Sequence, residues 1–192
     1  MRLHRQLAQA LCVIALATPT LAEVWSGQLL DRPTSIDIPA PFAPEPGFSD
    51  LADGSALEEF LIPGETLEAW TQLITLTGLA GATEGMTPDE AAAAMAQNMA
   101  QGYSAACPNG MNAVDLGSPA ITGAEVVIAG WLACDQVNGN GQSEAMVVLI
   151  MVTGGTIYTA QWAEHVPATD GPPVFDQGHW MPRLDTLMTF SF

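Results

Sequence analysis

Between residues 124 and 164 three β-rich runs are separated by two glycine-bearing turns, and this pattern forces an antiparallel meander. Residues 124–135 set Val127, Ala129, Trp131 and Ala133 on one side and Val126, Ile128, Leu132 and Cys134 on the other, the period of two that a strand imposes. Asn138-Gly139-Asn140-Gly141 supplies residues that accept the positive φ of a tight hairpin. Residues 145–153 are apolar at nearly every position, the mark of a central strand covered on both faces. After Gly154-Gly155 the chain returns through residues 156–164 with Tyr158, Ala160 and Trp162 on one face.

The covering layers must come from elsewhere, and a helix is written most clearly at Thr87-Pro88-Asp89-Glu90. Thr87 can accept from free backbone donors, Pro88 suits the first helical position, and Glu90 stands where a capping box needs it. The helix should run from Pro88 to about Ala105, burying Met95, Met99 and Tyr103 with Ala92 and Ala106, until Pro108-Asn109-Gly110 stops it. Upstream, residues 57–62 and 71–79 read as strands, joined by the turn Pro63-Gly64-Glu65 and one helical turn over residues 66–70. A last helix starts at Asp176 or Pro182 and reaches Met188, presenting Trp180, Leu184 and Leu187. Pro33, Pro39, Pro41, Pro44 and Pro46 favour extended backbone, so residues 23–54 are expected as a Pro-rich N-terminal arm over the domain surface. The fold expected is α+β: a five- or six-stranded, mainly antiparallel sheet with helices packed on it, in a single domain over residues 55–192.

Residues 1–22 carry the logic of a secretory signal peptide: Arg2, His4 and Arg5, an apolar run from Leu7 to Ala17, and small residues before Glu23. That run is too short to span a bilayer, and no later stretch replaces it, so no integral membrane segment is expected after cleavage. A periplasmic location follows, and with it an oxidising medium. Cys12 leaves with the leader, so Cys107 and Cys134 remain to form a disulfide. The full chain has a formal net charge of −17, and cleavage removes two of its four Lys and Arg residues but none of its 21 Asp and Glu. Arg32 and Arg183 are then the only fixed cations, a balance that disfavours nucleic acid and anionic lipid as partners.

His165 and His179, with Glu164, Asp170 and Asp176 nearby in sequence, lack the short ligand spacing of a metal site. The Asn-Gly hairpin mimics a calcium loop but has Gln136 and Val147 where acidic ligands belong. Ser104 lies within the expected helix and Ser143 in a hairpin, so neither resembles a nucleophile elbow. No catalytic set, metal or other cofactor is therefore assigned. Trp70, Trp131, Trp162 and Trp180 each occupy an inward phase of an expected element and read first as core with an occasional pocket wall; Trp70, Tyr158 and Trp162 are the candidate ligand-binding side chains.

The run Ile62-Pro63-Gly64-Glu65-Thr66-Leu67-Glu68-Ala69-Trp70-Thr71-Gln72-Leu73-Ile74-Thr75 resembles a segment of small exported proteobacterial proteins of unknown function. Cys134 followed by Gly141-Gln142-Ser143-Glu144, and the stretch from Tyr158 to Trp162, extend that resemblance over much of residues 57–188. The element order is also similar to that of PsbP-like and Mog-like α/β/α domains, which implies an antiparallel sheet with helices on both faces and a binding or assembly role. The function expected is thus a soluble periplasmic binding or accessory protein, noncatalytic, acting on an envelope protein or a small ligand around Trp70 and the arm. The rival is a periplasmic hydrolase using His165 or His179 with Asp176, which would require those side chains to converge.

Overall fold

A computed structural model describes residues 22–137, 141–168 and 171–192; most of the expected leader, the expected Asn138-Gly139-Asn140 turn residues, Thr169 and Asp170 lie outside the described residues. Among the described residues the elements run β1 (Glu23–Leu29), β2 (Arg32–Ile38), β3 (Phe48–Ala52), β4 (Ser55–Leu61), β5 (Gln72–Ala80), α1 (Pro88–Ala106), β6 (Met111–Gly117), β7 (Val126–Cys134), β8 (Gln142–Thr153), β9 (Thr156–Pro167) and α2 (Gln177–Leu187). β1 and β2 form a separate two-stranded ribbon, and the other strands form a seven-stranded sheet in the order β3-β4-β5-β9-β8-β7-β6. Every pairing in both sheets is antiparallel.

The α+β class stands, but the sheet is larger than the five or six strands expected. β3 and β6 are the additions, one at each end of the sheet. β6 joins β7 through a register that shifts between Asp115 and Gly117, so its alternation is interrupted before a sequence pattern can build up. The segment read as an arm holds β1, β2 and β3. Pro33 sits in β2 opposite Gln28, and a two-stranded ribbon leaves each strand the open edge where proline is tolerated. Residues 66–70 do not make a helical turn: Thr66 and Ala69 exchange backbone hydrogen bonds (N–O 3.4 and 3.0 Å), and the Glu65 carboxylate accepts from Thr71 N (3.0 Å) and Oγ1 (2.5 Å).

The meander sorts its side chains as the period of two requires. Val127, Ala129 and Trp131 of β7 share a core with Val147, Leu149 and Met151 of β8 and Tyr158, Ala160 and Trp162 of β9. This face is covered by the ribbon through Trp25, Leu29 and Ile36, by α2 through Trp180, Leu184 and Leu187, and by Phe190 near the chain end. Ser35 and Ser191 exchange backbone bonds of 3.0 and 2.9 Å, which fastens the C-terminus to β2.

The opposite face meets α1. Val148, Ile150, Val152 and Ile157 pack against Ala91 and Ala92, with Met95, Ala96 and Met99 partly buried beside them. Because each buried methylene is worth about 0.8 kcal/mol, a contact built largely from alanines holds a helix weakly, and α1 is secured at its ends. Its N-terminus carries the capping box of Thr87 and Glu90 with Pro88 in the first turn. At its C-terminus Cys107 lies at disulfide distance from Cys134 of β7, with Cα atoms 5.4 Å apart.

Candidate functional site

Side chains alternate across a strand, so the consecutive residues Glu164 and His165 of β9 point to opposite faces of the sheet. On the α1 face His165 stands opposite Glu144 of β8 and places Nε2 2.9 Å from Glu144 Oε2. Its Nδ1 is 3.2 Å from the carbonyl oxygen of Trp70, and the two rings stack with centroids 3.6 Å apart at 19°. Tyr103 of α1 donates to Glu144 Oε1 at 2.5 Å. Burial first, and then the Glu144 charge and hydrogen bond, hold the Tyr103 hydroxyl well above the usual tyrosine range. Glu144 thereby joins α1, β8 and β9 beside the cysteine pair.

On the other face Glu164 receives His179 Nε2 at 2.8 Å and Arg183 Nε at 2.5 Å, both from α2. Arg183 also donates Nη1 to the His179 carbonyl at 2.7 Å, and its guanidinium lies 5.3 Å from the Trp162 ring and 5.5 Å from the Trp180 ring. Burying a carboxyl group is costly unless it is paired and hydrogen-bonded, and these partners supply both.

Asp176, the carboxylate assigned to the rival reading, caps α2 and accepts from Gly178 N at 2.9 Å. The histidine–carboxylate contacts formed are therefore with Glu144 and Glu164. Glu164 stands beside the histidines in sequence, but its contact with His179 depends on how α2 docks; for Glu144 the available signal is the register of two adjacent apolar strands, which aligns residue 144 with 165. The three aromatic candidates do not come together. Trp70 stacks on His165, whereas Tyr158 and Trp162 are buried on the α2 face. Tyr158 meets Phe192 (centroids 4.8 Å) and Trp162 meets Phe42 (5.0 Å), with Trp162 Nε1 donating to Gln72 at 3.2 Å.

Two concavities lie elsewhere. A cleft of about 350 Å³ opens between α1 and the β6–β8 end of the sheet, walled by Ala93, Ala96, Met99 and Ala100 and floored by Ile128, Gly130, Leu132 and Val148. It exists because small residues face each other: a Cβ built on Gly130 would meet nothing nearer than 3.8 Å. A second groove of about 440 Å³ runs between Ala43, Gly47 and Phe48 and the 61–68 turn. Both were missed from sequence, although the alanine run of α1 facing a glycine in a strand was the signal for the first. Among the described residues no group of His, Cys, Asp and Glu has the arrangement of a metal site, and no helix is long and apolar enough to cross a membrane.

These features define an α+β domain with an antiparallel sheet layered on both faces. Among solved structures the chain is similar to the Saccharomyces cerevisiae Ran-binding protein Mog1p, with TM-score 0.46 and 12% identity over 77% of this chain and 79% of that one. The E65A mutant of protein Mog1 matches at 0.46 and 13% over the same shares. No protein-family model matches the chain, and no curated protein matches it.

Proposed function

We propose that this chain is a soluble periplasmic binding or accessory protein that acts by noncatalytic capture of an apolar group in the cleft beneath α1. One observation carries the reading: a cleft of about 350 Å³ lined almost wholly by aliphatic side chains, with Asp115 as its one charged neighbour. That volume falls in the lower part of the range of small-ligand pockets, which are mostly apolar with few polar groups. Export supports the same reading through the leader, the paired cysteines and the acidic surface. Descent from the small exported proteobacterial proteins belongs to this proposal on the strength of the residue 62–75 run, as does the PsbP-like side of the resemblance on element order.

The test uses a neutral solvatochromic dye, Nile red, and the variant Gly130→Val. The added Cβ sits at ordinary contact distance, 3.8 Å from Val114 O and Val148 Cγ1, and valine suits a strand, so the variant should fold with unchanged circular dichroism while dye binding drops about tenfold or more. Equal dye binding by the folded variant would remove the cleft from the account. The location is checked separately, by finding the protein in the osmotic-shock fraction with an N-terminus near Glu23.

A further inference from the structure

The far end of the sheet offers a different surface. β3 pairs with β4 on one side and, among the described residues, with no strand on the other. All five of its residues are exposed, including Phe48 at 39% and Leu51 at 67%. An uncovered edge with large apolar side chains is what proteins normally avoid, because its free N–H and C=O groups accept another strand. β3 is also short and carries no bulge in its register with β4. The adjoining groove is continuous with it: Phe48 begins the strand and also lines the wall opposite Leu61 and Leu67, with Glu65 and Glu68 at the rim.

The charge around this edge has one sign. Register places Phe48 opposite Glu59 and Asp50 opposite Leu57 on the groove face. Glu58, on the other face, is taken up by the Ser49 hydroxyl. Glu59 has no such partner: among the described residues no cation and no side-chain donor meets it, and burial raises its carboxyl above the usual range. From residue 33 to residue 182 the sequence contains no Lys or Arg. A second copy of this chain would set Asp50 and Glu59 against like charges, which disfavours self-pairing.

We propose that the free edge of β3 and the groove beside Phe48 bind an extended, Lys- or Arg-bearing segment of a partner protein, which adds to the sheet as a further strand. Backbone hydrogen bonds to β3 would supply affinity, and alternate side chains would supply selection. Apolar positions of the segment, on one face of the added strand, rest beside Leu51, while its cations, on the other face, pass Phe48 and meet Asp50, Glu59 and Glu65. Electrostatic attraction to this edge raises the encounter rate and rejects anionic segments.

The experiment measures fluorescence anisotropy of labelled peptides with the intact exported protein. A peptide of alternating Val and Lys should bind at least about tenfold more tightly than one of alternating Val and Glu, or than a Val-Lys peptide interrupted by proline, which keeps the charge but cannot pair. Asp50→Asn with Glu59→Gln should weaken the Val-Lys peptide about tenfold or more, whereas Glu23→Gln with Asp37→Asn on the ribbon should leave it unchanged. Circular dichroism establishes that each variant is folded. Equal binding of the proline-interrupted peptide, equal losses from the two variant pairs, no measurable binding of the Val-Lys peptide, or a β3-dependent dimer abolished by Leu51→Lys would each overturn the proposal. Dye binding in the α1 cleft is read separately, so failure of one site does not obscure the other.

Discussion

Glu144 and Glu164 do comparable work on opposite faces of one strand pair, each drawing a histidine and a second side chain from a helix. Around Glu144 that second side chain is Tyr103, which donates to the carboxylate from a largely buried position. The chain's only other tyrosine, Tyr158, is also displaced upward, by burial first and by Asp31, against opposing pulls from Arg32 and Thr156. Both therefore favour the neutral form in the folded state. An unfolded tyrosine ionises near about pH 10, so this contribution to stability is fully present below that pH. It is lost as pH rises above the unfolded value toward the raised folded one, because the unfolded chain then holds fewer protons. Tyrosinate absorbance should consequently rise at higher pH in the folded protein than in the unfolded chain, and Tyr103→Phe should soften the alkaline loss of stability. A tyrosine titrating at its ordinary pKa in a still-folded protein would falsify this account of the two sites.

At the scale of elements, α1 shows how termini compensate for a thin interface. Glu90 N donates to Thr87 Oγ1 at 3.3 Å, and Glu90 Oε2 accepts from Thr87 N at 2.8 Å. The bonds that the Glu90 carboxylate accepts from Thr87 N and from Thr87 Oγ1 lower its pKa. Thr87→Ala should cost about 1 kcal/mol in urea unfolding with the m-value unchanged; a cost near zero would mean that the cap is dispensable. This helix was legible in the sequence because its signals are local: a cap, a proline and an acid at fixed offsets. The two faces of β7 were legible because Val127, Ala129 and Trp131 alternate with Val126, Ile128 and Leu132 without interruption. β6 was not legible, since a register shift near Asp115 breaks its pattern and its place is fixed only by pairing with β7. The prolines around β2 and β3 concealed strands because a proline argues against a strand only where both edges are occupied. The Glu–His contacts were hidden for a similar reason: Glu144–His165 depends on which strands lie side by side and Glu164–His179 on where α2 docks, long-range choices that no local pattern states. The same holds for the groove at Phe48, formed by segments that meet only in the folded chain.

The whole molecule is layered unevenly. One face of the sheet is sealed by the ribbon, α2 and the chain end, while on the other α1 packs on β7 and β8 and reaches β6. A roof of alanines over a cleft packs thinly, and a Cys107–Cys134 link, which the disulfide distance of the pair allows, would fix it at the end remote from the cap. Its two cysteines are 27 residues apart in sequence, so a loop of that length contributes on the order of 3.5 kcal/mol in the chain-entropy description. For a chain of this size that corresponds to a fall in melting temperature of about 10 °C in the variant Cys107→Ala with Cys134→Ala. Most of that loss arises in the unfolded chain, so far-ultraviolet circular dichroism at low temperature should match the unmodified protein. Thiol titration of the unmodified protein, in the exported form proposed above, under denaturing, nonreducing conditions should find no free thiol. Two titratable thiols, or a double variant that melts with the parent, would mean that α1 is held without the link and that the cleft beneath it has no covalent support.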